Sequence, residues 1–173
     1  MPTTDVTIRL LTDTDLPAYK ALRDVGLQHD PEAFTSDFDT ASALPPATYA
    51  TRLGQPPDDH FILGAFDASG AMLGAVVCER ESQLKKRHEA ALVGMIIVPE
   101  MRKRGIGKAL LTEFDKLVRK LPGLEQVVLS VTASNAHAVG LYEHAGFERY
   151  GLQPRAIKVD GQYHDKALML KLL

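Results

Sequence analysis

The spacing of apolar residues changes several times along the chain, and each change predicts an element. Val6-Thr7-Ile8-Arg9-Leu10 alternates and carries β-branched residues, which predicts a first strand. Thr12-Asp13-Thr14-Asp15 is helix-capping chemistry, and Leu16, Tyr19, Leu22 and Val25 then recur at helical spacing as far as Gly26. Between residues 29 and 57 the period is lost. Pro31, Pro45, Pro46, Pro56 and Pro57 interrupt a segment carrying Phe34, Phe38, Tyr49 and Leu53, which predicts loop with one short helix near residues 47–53. Long irregular segments of this kind often frame a ligand site. Residues 60–66 and 72–81, joined across Asp67-Ala68-Ser69-Gly70, predict an antiparallel hairpin, and residues 89–98 continue it as a fourth strand.

The firmest helical pattern follows. Ile106, Leu110, Leu111, Phe114, Leu117, Val118 and Leu121 form one apolar stripe opposite Lys108, Glu113, Lys116, Arg119 and Lys120, and Pro122-Gly123 stops it. Residues 127–131 predict a buried strand reached through that helix, hence parallel to the fourth strand. Ser134 or Asn135 caps a further helix that runs to Ala145 and ends at Gly146. Residues 147–152 and 157–172, the latter folding back at Asp160-Gly161, supply the last strands. The expected class is α/β with a mixed sheet of about seven strands.

Length and charge narrow the classes. The 173 residues fit one domain over the whole chain, large enough to bury roughly 70% of its unfolded surface without a disulfide or metal staple. Net charge is −2, with 20 basic and 22 acidic residues interspersed, which argues against a nucleic-acid or polyanion binder. Lys85-Lys86-Arg87-His88 lies between apolar runs and reads as a solvated turn. Cys78 sits inside an apolar stretch, which suggests a small buried hydrophobe and a reducing cytoplasm. Residues 1–5 have neither a basic start nor an apolar core, and no run approaches a membrane span, so a cytoplasmic protein without membrane contact is expected.

The chemistry gathers at Arg102-Lys103-Arg104-Gly105-Ile106-Gly107, between a strand and a helix. Two glycines admit close backbone approach, and a new helix leaves its first N–H groups unpaired, a recipe for holding a phosphate. Three nucleotide patterns compete. The Walker pattern fails because Arg102 and Ala109 stand where it needs glycine and a hydroxyl, and the dinucleotide fingerprint fails at Leu110. What remains is Arg or Gln, two residues, Gly, one residue, then Gly or Ala, met by Arg102, Gly105 and Gly107.

At these residues the chain resembles the GNAT superfamily of acyl-CoA-dependent N-acyltransferases. The resemblance is carried also by Val98-Pro99-Glu100 before the turn, by Asn135-Ala136, Leu141-Tyr142 and Gly146-Phe147 after it, and by Gly161-Gln162-Tyr163-His164-Asp165 near the end. It implies a sheet that is antiparallel at first, with strands 4 and 5 parallel and splayed around the pantetheine arm and helices on both faces. It implies acetyl-CoA as cosubstrate, no metal, an amine of a small molecule or a peptide as acceptor, and often a homodimer. A module that binds acyl-CoA without turnover is the competing class.

Residue roles follow from the same resemblance. N–H groups of Arg104, Gly105, Gly107 and Lys108 would bind the pyrophosphate, with charge from Arg102, Lys103 and Arg104. Main-chain groups of Ile96 and Val98 would bond the pantetheine, and an N–H of that strand would polarise the thioester. Asn135 bonds the pantetheine, caps its helix, or does both. Tyr142 is the candidate general acid, or else a core tyrosine. The fourth strand has no ionisable side chain between Ala90 and Val98, a departure from members with a glutamate there. Glu32, Glu79, Glu81, His88 and Glu89 are the base candidates, unless the amine arrives deprotonated. Glu32, Phe34, Tyr163 and Asp165 are candidates for the acceptor side, where acidic residues would suit a cationic amine; the alternative for Phe34 and Phe38 is that they only close the core beneath the loop.

Overall fold

The computed structural model describes residues 5–173, so the reading of residues 1–5 as free of a leader falls largely outside it. Its frame is one seven-stranded sheet in the order β1-β2-β3-β4-β5-β7-β6, formed by β1 (Thr7–Leu10), β2 (His60–Phe66), β3 (Met72–Arg80), β4 (Glu89–Ile97), β5 (Gln126–Thr132), β6 (Glu148–Val159) and β7 (Gln162–Leu172). Neighbours pair antiparallel except β4 and β5, which run parallel. That parallel pairing covers only Glu89–Ala91 against Gln126–Val128, after which the two strands part.

Helices lie on both faces. On one side α3 (Ile106–Val118) buries Ile106, Leu110, Leu111, Phe114, Leu117 and Val118, the expected stripe, against β2, β3 and β5 residues such as Phe61, Val76 and Val127. α4 (Ala136–His144) follows on that face, with Tyr142 in the same core. On the other side α1 (Leu16–His29) packs Leu16, Tyr19 and Leu22 on Ile62, Ala75, Val77 and Ile96. A 3-10 turn, Pro31–Ala33, then α2 (Phe38–Ser42) and a second 3-10 turn, Pro46–Arg52, occupy the proline-rich segment, which therefore holds three short helical pieces where one was expected.

α1 departs from its sequence pattern in two ways. It continues past Gly26 to His29, because that glycine marks a close approach to β4: a Cβ there would lie 3.1 Å from Ile96 Cγ2. Val25 is 43% exposed, and the buried stripe runs instead through Lys20, Arg23, Gly26 and Leu27. Arg23 thus lies on the face that meets the open part of the sheet, while Lys20 is buried toward α2 and donates to Ser42 O at 3.2 Å. The last strands differ too. β6 is continuous through Pro154, with a bulge between Gln153 and Ile157 where Arg155 turns to φ +52° and donates its N–H to Asp165 Oδ1 at 2.8 Å.

The start of α1 is pinned by an ion pair. Asp15 accepts Arg9 Nη1 and Nη2 at 2.7 and 2.8 Å and the Thr12 N–H at 2.8 Å, and the guanidinium of Arg9 lies 4.0 Å above the Phe66 ring. These bonds, Arg9 first, hold the carboxyl down to about 2 from an ordinary 3.8, against the opposing effect of burial. A depressed folded-state pKa stabilises at pH above the unfolded value and loses that contribution as pH falls through the folded one. The difference converts to up to about 2 kcal/mol, at roughly 1.4 kcal/mol per pKa unit. The melting temperature of the wild type is therefore expected to drop between pH 4 and pH 2 by more than that of Asp15→Asn, which starts lower; parallel curves would remove Asp15 as a source of acid sensitivity.

Cys78 is buried in β3 and free, and burial first, with Glu79 and Asp59 adding, pushes its thiol up to about 12. It is an apolar core residue, not a nucleophile.

Candidate active site

Where β4 and β5 part, a cleft of about 860 Å³ opens between the two halves of the sheet. Its walls are Ala91–Ile97 of β4 and Val128–Thr132 of β5, closed at the sides by Arg23, Phe34, Arg52, Glu79, Asn135, Leu141, Tyr142 and Lys166. Two features of β4 shape it. The β3 ladder pairs Val77 with Val93 and then Ala75 with Ile96, passing over Gly94 and Met95, so a bulge at Gly94 (φ +57°) releases main-chain groups from the ladder. Beyond the bulge, Val98 donates its N–H to Leu73 O at 2.9 Å. Alternation along an antiparallel strand then turns Ile96 toward β3 as well, and Ile97 toward the gap. The expectation that Ile96 and Val98 offer main-chain bonds to the cleft is therefore corrected. Ile97 and the bulge offer them, and strand parity, invisible before the register is known, is the reason.

The glycine turn closes one end. Gly105 is the N-cap of α3 in the left-handed region, φ +83°, with Lys103 also at positive φ, +60°. A Cβ on Gly105 would meet nothing within 4 Å, so glycine is needed there for its dihedral and not for room. Gly107 serves packing: a Cβ would stand 2.9 Å from Leu141 Cδ2 and 3.2 Å from Met95 Cε, so it sets the approach of α3 to α4. The first main-chain bond into this turn is Ala109 N–H to Gly105 O, which leaves the N–H groups of Gly105, Ile106, Gly107 and Lys108 without main-chain acceptors among the described residues.

The cations of the turn divide by role. Arg102 lines the cleft but is held by Asp30, the C-cap of α1, with Nε on Ile97 O at 3.3 Å. It ties α1 to the end of β4 and is no free phosphate ligand. Desolvation by itself would raise the Asp30 carboxyl, but the bonds from Arg102 and His29 outweigh it and lower the carboxyl. Lys103, Arg104 and Lys108 are exposed and in no ion pair among the described residues, and Lys103 reaches the cleft lining.

Asn135 caps α4, its Oδ1 accepting Ala138 N–H at 3.0 Å, and it also lines the cleft. Tyr142 hangs in the gap, 8% exposed, its hydroxyl donating to Met95 Sδ at 3.4 Å and its ring edge-on to Phe147 at 5.9 Å. Burial raises its phenol above the ordinary value, so it stays protonated at neutral pH. The Leu-Tyr-x-x-x-Gly-Phe stretch explains the orientation. Phe147 N–H returns to Tyr142 O and Gly146 N–H to Glu143 O, both at 3.0 Å, with Gly146 at φ +93°. This Schellman stop fixes the tyrosine and the phenylalanine against each other.

Of the base candidates, Glu79 alone is in the lining, its Oε1 accepting Arg52 Nε at 2.8 Å. Glu81 and Glu89 pair with Lys86 at 3.3 Å each, at the closed end of the β4–β5 contact, and His88 sits beside them. Glu32 enters through its carbonyl, which accepts Thr132 Oγ1 at 2.9 Å. Asp165 is spent on the β6 bulge, and Tyr163 lies under the Arg155 guanidinium at 3.8 Å, so neither reaches the cleft. Phe34 both lines the cleft and packs on the α1 core.

Residues 26–147 match the acetyltransferase (GNAT) family. The chain belongs to this family. The fold agrees: the GNAT-family acetyltransferase of Streptococcus pneumoniae superposes with a TM-score of 0.86 at 26% identity, over 98% of this chain and 100% of that one. A GNAT superfamily phosphinothricin acetyltransferase of Sinorhizobium meliloti, solved in complex with AcCoA, superposes at 0.82 and 22% identity, over 97% of this chain and 88% of that one. Mycothiol acetyltransferase of Pseudarthrobacter chlorophenolicus is 32% identical over 143 residues, 80% of this chain and 41% of that protein. The chain spans only part of the curated relatives it matches, 31% to 55% of three of them. No helix among the described residues is long and apolar enough to cross a membrane.

Proposed function

We propose that the whole chain, residues 1–173, is one N-acetyltransferase domain that moves an acetyl group from acetyl-CoA to a primary amine of a small molecule or peptide by direct attack in a ternary complex. One observation carries this reading: the open half of the β4–β5 gap runs to Arg102 and Lys103, in the turn that leads into the free N–H groups of α3, and has Tyr142 in its lining with the hydroxyl against Met95.

The residues present suit coenzyme A. The N–H groups from Gly105 to Lys108, with the positive end of the helix dipole and the charges of Lys103 and Arg104, hold the pyrophosphate. Ile97 and Asn135 bond the pantetheine amides. The bulge at Gly94 and Met95 aims a main-chain N–H at the thioester carbonyl, where negative charge grows as the amine nitrogen attacks. Glu79 takes the proton of the amine through water. Collapse of the adduct breaks the C–S bond, and Tyr142 gives its proton to the departing sulfur. The thioether of Met95 already occupies that direction, so the phenol is aimed at a soft sulfur acceptor before any donor binds.

Thiol release from acetyl-CoA across polyamines, amino acids, aminoglycosides and N-terminal peptides tests the reading. Release that depends on an amine supports transfer. Binding of acetyl-CoA with no thiol released for any amine moves the protein to the class of acyl-CoA-binding modules.

A further inference from the structure

The cleft was expected to favour a cationic acceptor; its charges point the other way. Arg52 is neutralised by Glu79 and Arg102 by Asp30. Lys166 is buried and gives its hydrogens to Thr132 Oγ1, Glu32 O and Ala33 O at 3.0, 3.2 and 3.2 Å, in no direct ion pair among the described residues. Arg23 is different again. It projects from α1 into the lining, is only 6% exposed, pairs with no carboxylate among the described residues, and leaves its Nε buried without a partner.

A guanidinium does not lose its proton, and an unpaired charge out of water is costly, so this group needs an anion to complete it. Its surroundings mark where. Its Nη1 lies 3.4 Å from the point a Cβ on Gly94 would occupy, which sets the cation against the β4 bulge. The Tyr19 hydroxyl, 3.9 Å from the same point, is also buried and unpartnered. Tyr49 backs both, its ring 5.1 Å from the Arg23 guanidinium and edge-on to Tyr19. Of these three residues Arg23 alone lines the cleft, beside the segment at which acyl transfer is placed.

We infer that the acceptor is an amine that carries a carboxylate, of the α-amino acid type, and that Arg23, backed by Tyr19 and Tyr49, binds that carboxylate. The inference rests on the acetyl-transfer reading above and gives it a substrate class. A carboxylate held against the bulge leaves an amine one carbon away within reach of the thioester carbonyl. Bidentate pairing makes Arg23 a specificity residue and not merely a positive wall.

The test is thiol release at saturating acetyl-CoA from α-amino acids, their methyl esters and the matching decarboxylated amines, using wild type, Arg23→Gln and Arg23→Lys. The acids are expected to exceed esters and amines by about 10- to 100-fold in kcat/KM. Arg23→Gln is expected to erase that preference with the KM for acetyl-CoA unchanged, and Arg23→Lys to keep part of it. Esters or plain amines turned over as fast as acids, or Arg23→Gln lowering all three alike, overturns the proposal. Should Arg23→Gln fail to fold, the wild-type comparison of acid with ester and the Arg23→Lys variant decide in the same way. If no amine releases thiol, the transfer reading fails separately, and the carboxylate site is read by calorimetric titration of the coenzyme A-bound protein with N-acetyl amino acids and their methyl esters. Binding of acids alone, weakened in Arg23→Gln, supports it; equal binding, or none, overturns it.

Discussion

Tyr142→Phe is expected to lower kcat by about 10²-fold or more while leaving the KM for acetyl-CoA unchanged, because a general acid acts in the transition state and contributes roughly 10²–10⁴-fold. The change removes one oxygen from a buried side chain and keeps its edge-on contact with Phe147, so the fold is expected to hold. It also leaves nothing buried without a partner, since Met95 Sδ is a weak acceptor that tolerates the loss. Burial has two effects on this acid. It raises the phenol, which alone would make proton donation harder, but the same dry gap raises a thiolate formed within it, which restores the match. The wild-type rate is accordingly expected to hold as pH rises through the ordinary phenol range, with any alkaline loss lying above it. Steady-state kinetics against pH for the two proteins checks both points. Full turnover by Tyr142→Phe would falsify the acid role and leave the residue a core tyrosine.

Elements whose two sides meet different surroundings were legible in the sequence. α3 has one apolar stripe and one charged face, and its buried residues are those the spacing marks. β2 to β4 follow as a meander, and a helix between β4 and β5 requires them to be parallel. α1 was legible only in part. Its buried face carries Arg23, which lines the cleft, and Lys20, which is tied to Ser42 O at the end of α2, and a pattern of apolar residues alone skips such positions. Val25 fits the helical period and is exposed, while Arg23 breaks the pattern and is buried.

The donor side of the site was legible because its chemistry is local. Gly105, the helix after it, Asn135 as a cap and the Schellman stop at Gly146 each rest on residues a few positions apart. The rest depends on register and on distant partners. That the main-chain groups of Ile97 and not those of Ile96 turn toward the gap follows from one pairing, Val98 with Leu73. That Arg102 is engaged follows from Asp30, seventy-two positions away. The acceptor side was the least legible. Asp165 and Tyr163 had suitable chemistry but belong to a β6 bulge that no spacing announces, and Arg23, the residue proposed for that side, was hidden in a helix that reads as structural.

Charge reversal at Gly105 separates strain from electrostatics at the phosphate end. Gly105→Glu and Gly105→Lys both force an L side chain into φ +83°, at a cost of about 1–2 kcal/mol, and both place their Cβ in open space, so their melting temperatures are expected to fall alike. Their affinities for acetyl-CoA are expected to diverge. A glutamate at the N-cap aims a negative charge at the point where the pyrophosphate is proposed to meet the N–H groups of Gly105 to Lys108. At about 5 Å and an effective dielectric of about 20, one pair of like charges costs roughly 3 kcal/mol, about 100-fold in affinity before salt screens it. A lysine carries the same strain with the favourable sign, so its loss is expected to stay within about tenfold. Calorimetric titration at two salt concentrations checks this, with the gap between the two variants narrowing at the higher one. Equal losses for Glu and Lys would mean that the turn contributes shape and not charge. Unchanged affinity in both would place the pyrophosphate away from this turn and remove the geometric basis for reading the cleft as a coenzyme A site.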